Sequence, residues 1–173
     1  AANSVGAYIA GAIPGGRKDA GTGDNKGEGP STGLDASRML GSNGAEPCRA
    51  FILMNLEPDL DSYNPQQTRR ALGAAELVVL MSAYKSDAIL QADYADVLLP
   101  ISPFTETSGT FINAEGRVQS FNGVVAPLGE TRPAWKVLRV LGNMLQIDGF
   151  GYETPEQVRA EILPGGNDVT ARL

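Results

Sequence analysis
The chain has 173 residues, 42% of them hydrophobic and 20% charged, with a formal net charge of −6. That is one domain's worth of sequence, able to bury a sizeable core; its acidity argues against nucleic acid and anionic membranes as partners, and no apolar run approaches the roughly 18 residues of a membrane span. With no histidine and one cysteine, Cys48, the chain cannot by itself build an iron–sulfur cluster on about four thiolates, a Cys/His zinc site, or a Ser-His-Asp or Cys-His centre.

Residues 1–11 lack a charged n-region and a long apolar core, so no signal peptide is expected. The chain opens inside a predicted helix, Asn3 to Ala12, as a segment of a longer polypeptide would. From Pro14 to Gly33, Gly, Asp, Lys and Ser crowd out apolar residues. A stretch that cannot bury a face reads as a mobile loop. Within it Gly21 to Gly27 resembles a phosphate loop only superficially. No strand precedes it and the GxGxxG and Gly-Lys-Ser/Thr spacings are missing, so it reads as linker. Cys48, beside Pro47, reads as a structural thiol, and a lone cysteine points to a reducing compartment.

Ala50 to Met54 is a continuous apolar run of the kind hidden on both faces of a parallel sheet. Asn64-Pro65-Gln66-Gln67 supplies an N-cap, a proline at the first helical position and a capping-box Gln, opening a helix to about Ala75. Leu77 to Met81 predicts a second strand, Ser86 to Ala92 a short helix, and Val97 to Leu99 a third strand that ends at Pro100. Alternating strands and helices imply parallel pairing with right-handed crossovers. Ile52, Val79 and Leu98 are then each expected to be almost fully buried. Asp93 and Asp96, flanking the start of the third strand, read as solvent-facing. A helix from about Pro133 to Leu145 follows from Trp135, Leu138, Leu141 and Leu145 at helical spacing. Thr154-Pro155-Glu156-Gln157 is a second capping box, opening a helix that stops before Pro164.

Between the third strand and Trp135 lies the most informative stretch. Gly109 to Asn113 and Arg117 to Phe121 are β-prone runs around Ala114-Glu115-Gly116, a hairpin whose last turn residue supplies the left-handed conformation. Its polar residues Thr105, Glu106, Asn113, Glu115 and Arg117 could meet a cofactor. Local satisfaction is the plainer reading, with Asn113 at the turn entrance and Glu106 or Glu115 pairing Arg117.

The run Ala95-Asp96-Val97-Leu98-Leu99-Pro100, then Glu106, then Gly109-Thr110-Phe111-Ile112-Asn113-Ala114-Glu115-Gly116-Arg117-Val118-Gln119, resembles the molybdopterin oxidoreductase family. Asn3-Ser4-Val5-Gly6-Ala7 with Gly11-Ala12-Ile13-Pro14, Asn55-Leu56-Glu57-Pro58 after the first strand, and Arg132-Pro133-Ala134-Trp135 at a helix start resemble it too. Within the family the likeness is greatest to the branch that forms part of bacterial NADH-quinone oxidoreductase, respiratory complex I. The resemblance implies a Rossmann-like α/β fragment with flanking helices and a β-hairpin. It divides into an N-terminal helix and Gly-rich loop (1–45), an α/β core with the hairpin (46–130) and return helices (131–173). Ligands of open α/β sheets sit beyond the carboxyl ends of the strands, and in this family those ends hold a nucleotide arm of the pterin cofactor. The family-equivalent positions here are Asn55, Glu57, Pro58, Met81 and Ser82. Catalytic relatives often carry Gln-Asp where this chain has Met81-Ser82, and Asn or Asp where it has Glu57, so the resemblance implies a vestigial site. No catalytic residue and no metal ligand is assigned.

Besides a free-standing nucleotide-binding module, two functions stay open at this point. One is a scaffold in the peripheral arm of complex I, without molybdopterin. It would lie on the cytoplasmic side of the inner membrane and contact other peripheral-arm subunits and an upstream part of its own polypeptide that carries iron–sulfur clusters. The other is the pterin-nucleotide-binding part of an active molybdenum oxidoreductase such as a formate dehydrogenase. For the Gly-rich stretch, limited proteolysis should cut near Arg17, Lys18 or Lys26 well before Lys136 or Arg139. Earlier cleavage in the Trp135 helix would contradict that assignment.

Overall fold
A computed structural model describes residues 2–12, 34–90 and 93–169. The loop expected from Pro14 to Gly33, with its Gly21 to Gly27 run, lies outside them. In chain order the elements are α1 (Ser4–Ile9), α2 (Ala36–Met39), β1 (Ala50–Met54), α3 (Pro58–Asp61), α4 (Pro65–Gly73), β2 (Leu77–Ser82), α5 (Asp87–Leu90), β3 (Val97–Pro100), β4 (Gly109–Ile112), β5 (Val118–Phe121), α6 (Ala134–Met144) and α7 (Pro155–Ile162). They fall into two compact units, one of residues 36–107 and 123–150, the other of residues 1–35, 108–122 and 151–173.

In the first unit the strands run in the order β1-β2-β3, all parallel. The register sets Phe51 beside Val78, Leu53 beside Leu80, and Leu80 beside Leu98. Successive right-handed crossovers in one direction put their helices on one face. Leu72 of α4 and Ile89 of α5 accordingly join Phe51, Val78, Leu80 and Tyr94 in one core. Hiding each large aliphatic side chain there stabilises the fold by about 1.5–3 kcal/mol. Asn64 caps α4 by accepting a hydrogen bond from Gln67 N at 3.2 Å. The Gln67 side chain does not close a capping box; its Nε2 donates to Ser42 Oγ at 2.7 Å.

Burial on both faces does not hold. Ile52 is 50% and Leu98 48% exposed, and Val79 is only half-buried. Ile52 and Val79 pair in register and point away from α4 and α5, because side chains alternate along a strand. Leu98 shares the covered face with Leu80 but sits on β3, at the end of the strand order. Asp96 is exposed, as expected, and also pairs with the backbone of β2. Its backbone N–H donates to Val78 O at 3.0 Å, and its carboxylate accepts from Val78 N at 2.7 Å, extending the ladder past the end of β3.

In the second unit β4 and β5 form the expected antiparallel hairpin. Gly116 has φ +78°, the left-handed conformation its position requires. Asn113 Oδ1 accepts from Glu115 N at 3.1 Å and Arg117 N at 2.9 Å. Asn3 Oδ1 accepts from Ile112 N at 2.8 Å, tying the start of α1 to β4. A Cβ on Gly6 would lie 2.0 Å from that same Asn3 oxygen, which explains the Asn3-x-x-Gly6 spacing. Ile9, Ile112, Leu163 and Val169 form this unit's core. Thr154 and Gln157 close a full capping box at the start of α7.

Leu80→Ala should cost about 2–5 kcal/mol, because the residue is enclosed on all sides and leaves a cavity. Ile52→Ala should cost less than about 1 kcal/mol in this chain, its side chain being half in water. Denaturant titration separates the two, and equal losses would contradict a one-sided core.

Candidate functional site
Parallel strands deliver their carboxyl ends to one edge of the first unit, and there the loops after β1, β2 and β3 enclose a cleft of about 400 Å³. The first wall begins at Asn55, where the backbone turns left-handed with φ +49°, a conformation Asn adopts more readily than most residues. Its N–H donates to Met81 O at 2.9 Å, fixing this loop to β2. Glu57 then precedes the one-turn helix α3, with Pro58 at its first position. The Glu57 side chain makes no cap hydrogen bond; instead Asp61 Oδ2 accepts from Glu57 N at 2.7 Å. Asp59 and Arg69 clamp α3 to α4 through two hydrogen bonds, Nη2 to Oδ2 at 2.9 Å being one.

The second wall follows β2. Ser82 Oγ donates to Tyr84 O at 2.7 Å and accepts from Tyr84 N at 3.2 Å, a tight turn that leaves the Tyr84 ring exposed. Pro103 and the exposed Phe104 form the third wall. Behind them Glu106 Oε2 accepts from Leu128 N at 3.0 Å, so Glu106 closes a local loop rather than pairing Arg117. Arg117 lies 3.9 Å from Glu115 instead, both exposed, a contact worth little.

Of the five positions singled out in the sequence, Asn55, Glu57 and Ser82 line this cleft. Pro58 is buried in the first turn of α3, and Met81, only 1% exposed, is packed away. Leu56, Ala83 and Tyr84 lie on the same strand-end segments. Asp61, Pro103 and Phe104 escaped the sequence reading, although the rule that ligands sit at strand carboxyl ends applies equally to the end of β3. Among the described residues the lining holds two carboxylates, Glu57 and Asp61, two aromatic rings, and no Lys or Arg. Such a surface suits a planar group bearing N–H or O–H donors better than a bare anion. Among the described residues no group of three or more His, Cys, Asp or Glu is arranged to hold a metal ion, and no helix is long and apolar enough to cross a membrane.

The Arg69 hydrogen bond holds the Asp59 carboxyl below its ordinary range, while burial pushes the Tyr94 phenol up. Because Asp59 is more acidic folded than unfolded, its contribution is present above the unfolded value of about 3.9 and fades as pH falls through the folded value. Asp59→Asn should therefore flatten the acid limb of the stability–pH curve below about pH 4. An unchanged limb in denaturant titrations would contradict the clamp.

A family profile described as "Molybdopterin oxidoreductase" matches residues 1–144. A Staphylococcus aureus (strain MRSA252) protein named "Putative formate dehydrogenase" is 42% identical over 133 residues, 77% of this chain and 13% of that protein. A protein of the same name from strain USA300 is 41% identical over the same shares. One from Staphylococcus haemolyticus (strain JCSC1435), again so named, is 28% identical over 133 residues, with the same shares. The chain thus spans 13% of the length of these relatives.

Proposed function
The chain belongs to the molybdopterin oxidoreductase family, and from that premise we propose that it holds the nucleotide end of the pterin cofactor in an oxidoreductase of the formate dehydrogenase kind. The cleft at the strand carboxyl ends carries this reading. Its volume of about 400 Å³ falls in the range of small-molecule sites, and its donor set fits a nucleoside. Tyr84 and Phe104 offer faces for a base, while Glu57, Asp61 and Asn55 offer acceptors for base N–H and ribose O–H groups. The diphosphate would lie outside this lining. The cofactor, when bound, would supply the molybdenum redox chemistry. The residues of this chain would orient its far end and keep water from it. The names of the staphylococcal relatives support the formate dehydrogenase assignment. The burial of Met81 weakens the argument for a vestigial site, because a side chain packed away at that position takes no polar group out of the cleft lining.

A second reading, a scaffold of the complex I type on the cytoplasmic side of the membrane, draws support from the pair of carboxylates in the cleft. Glu57 replaces a shorter group there, and a carboxylate facing a diphosphate repels it, at a cost of about 1–4 kcal/mol at a partly screened edge. The iron–sulfur clusters and subunit contacts of that reading would belong to other parts of the polypeptide.

Metal analysis and fluorescence of oxidised pterin on the natively purified full-length polypeptide separate the two. Near-stoichiometric molybdenum or tungsten with pterin is expected, and the absence of both would favour the scaffold. Glu57→Ala should lower cofactor retention about tenfold, the equivalent of one hydrogen bond to a charged group. Retention equal to that of the unsubstituted protein would remove Glu57 from the site.

A further inference from the structure
Residues 57–61 carry three carboxylates, Glu57, Asp59 and Asp61, and the fold neutralises only one of them. Asp59 takes two hydrogen bonds from the Arg69 guanidinium. Among the described residues no Lys or Arg lies within ion-pair distance of Glu57 or Asp61. Like charges one helical turn apart repel, and Glu57 is half-buried, so water compensates its charge incompletely. Both carboxylates line the cleft of about 400 Å³, whose other walls present the Tyr84 and Phe104 rings. Aromatic faces attract cations as carboxylates do. Two uncompensated carboxylates and two rings around one cavity are the complement of a positive, planar group.

We propose that this cleft, when free of cofactor, binds a guanidinium ion, carried by a free guanidino compound or by an arginine side chain of a peptide. The planar fork of a guanidinium meets a carboxylate through two parallel hydrogen bonds and stacks on a ring, which a compact ammonium does not. Arg69 already meets Asp59 in that way, two residues from each of the unpaired carboxylates. Asp61 Oδ2 accepts from Glu57 N, which leaves Oδ1 and the whole Glu57 carboxylate to the ligand. The inference rests on the cleft and not on the cofactor reading. A nucleoside seated there takes the same acceptors, so the two ligands exclude each other.

Calorimetric titration of the full-length polypeptide, purified from cells unable to make the pterin cofactor, tests it. Butylguanidinium should bind at least about tenfold tighter than butylurea, its uncharged planar counterpart, and the double substitution Glu57→Gln with Asp61→Asn should abolish that margin. Equal affinities for the two probes, or a margin that survives the double substitution, would overturn the proposal. Hydrogen exchange gives a readout that needs no substitution. Butylguanidinium should slow amide exchange within residues 55–62 and 82–85; slowing confined to other segments would contradict the site. A blocked tripeptide with a central arginine separates the two sources. Binding no weaker than that of butylguanidinium assigns the ligand to a polypeptide arginine, and weaker binding assigns it to a free guanidino compound. Metal and pterin analysis of the loaded protein reads the cofactor assignment separately, so either can fail alone.

Discussion
All three strands of the central sheet point the same way, and most of what this molecule can do follows from that constraint. Parallel pairing cannot be made by tight turns, so each strand must be joined to the next by a crossover. Right-handed crossovers in one direction then place α4 and α5 on one face, with Phe51, Val78 and Leu80 beneath Leu72 and Ile89. The same parallelism brings the ends of β1, β2 and β3 to one edge. Asn55, Ser82 and Phe104, each separated from the next by a whole crossover or strand, become neighbours there. The cleft and the open apolar face are two consequences of one topology.

The cleft's rim is held by hydrogen bonds made within and between its loops. Asn55 N is fixed to Met81 O, Asp61 caps Glu57 N, Ser82 locks Tyr84, and Asp59 is tied to Arg69. Each is modest by itself, about 0.5–1.5 kcal/mol net for a neutral pair. Together they order side chains that would otherwise lose rotamer freedom on binding, which is how a preorganised site gains affinity. With two carboxylates and two rings and no cation among its described residues, the rim favours the uncharged, hydrogen-bonding end of a ligand over its phosphates. That asymmetry is the ground on which the nucleoside end of a pterin cofactor is proposed as the ligand.

Much of the fold is legible in the sequence because its signals are local. Short apolar runs ended by Asn55, Ser82 and Pro100 mark all three strands. Asn64-Pro65 and Thr154-Pro155 mark two helix starts, and Gly116 marks the hairpin turn. What escapes the sequence depends on contacts distant along the chain. A run such as Ala50 to Met54 is apolar on both sides, so nothing in it says which face is covered, and the exposure of Ile52 stays hidden for that reason. At the site, strand ends and family resemblance lead to Asn55, Glu57 and Ser82. They also lead to Met81, although strand alternation turns it away from Ser82. Phe104 enters through a turn after β3 rather than a recognisable motif, so no local signal points to it. The one-turn helix Pro58–Asp61 is too short to show a period, which leaves the capping role of Asp61 invisible as well.

The central claim is that the strand-end cleft receives the nucleoside end of a pterin cofactor. A density map of the cofactor-loaded full-length polypeptide tests it most directly. The nucleoside group is expected within hydrogen-bond reach of Asn55 and Glu57, with its base against Tyr84 or Phe104. A cofactor seated with no atom in contact with Asn55, Glu57 or Ser82 would contradict it.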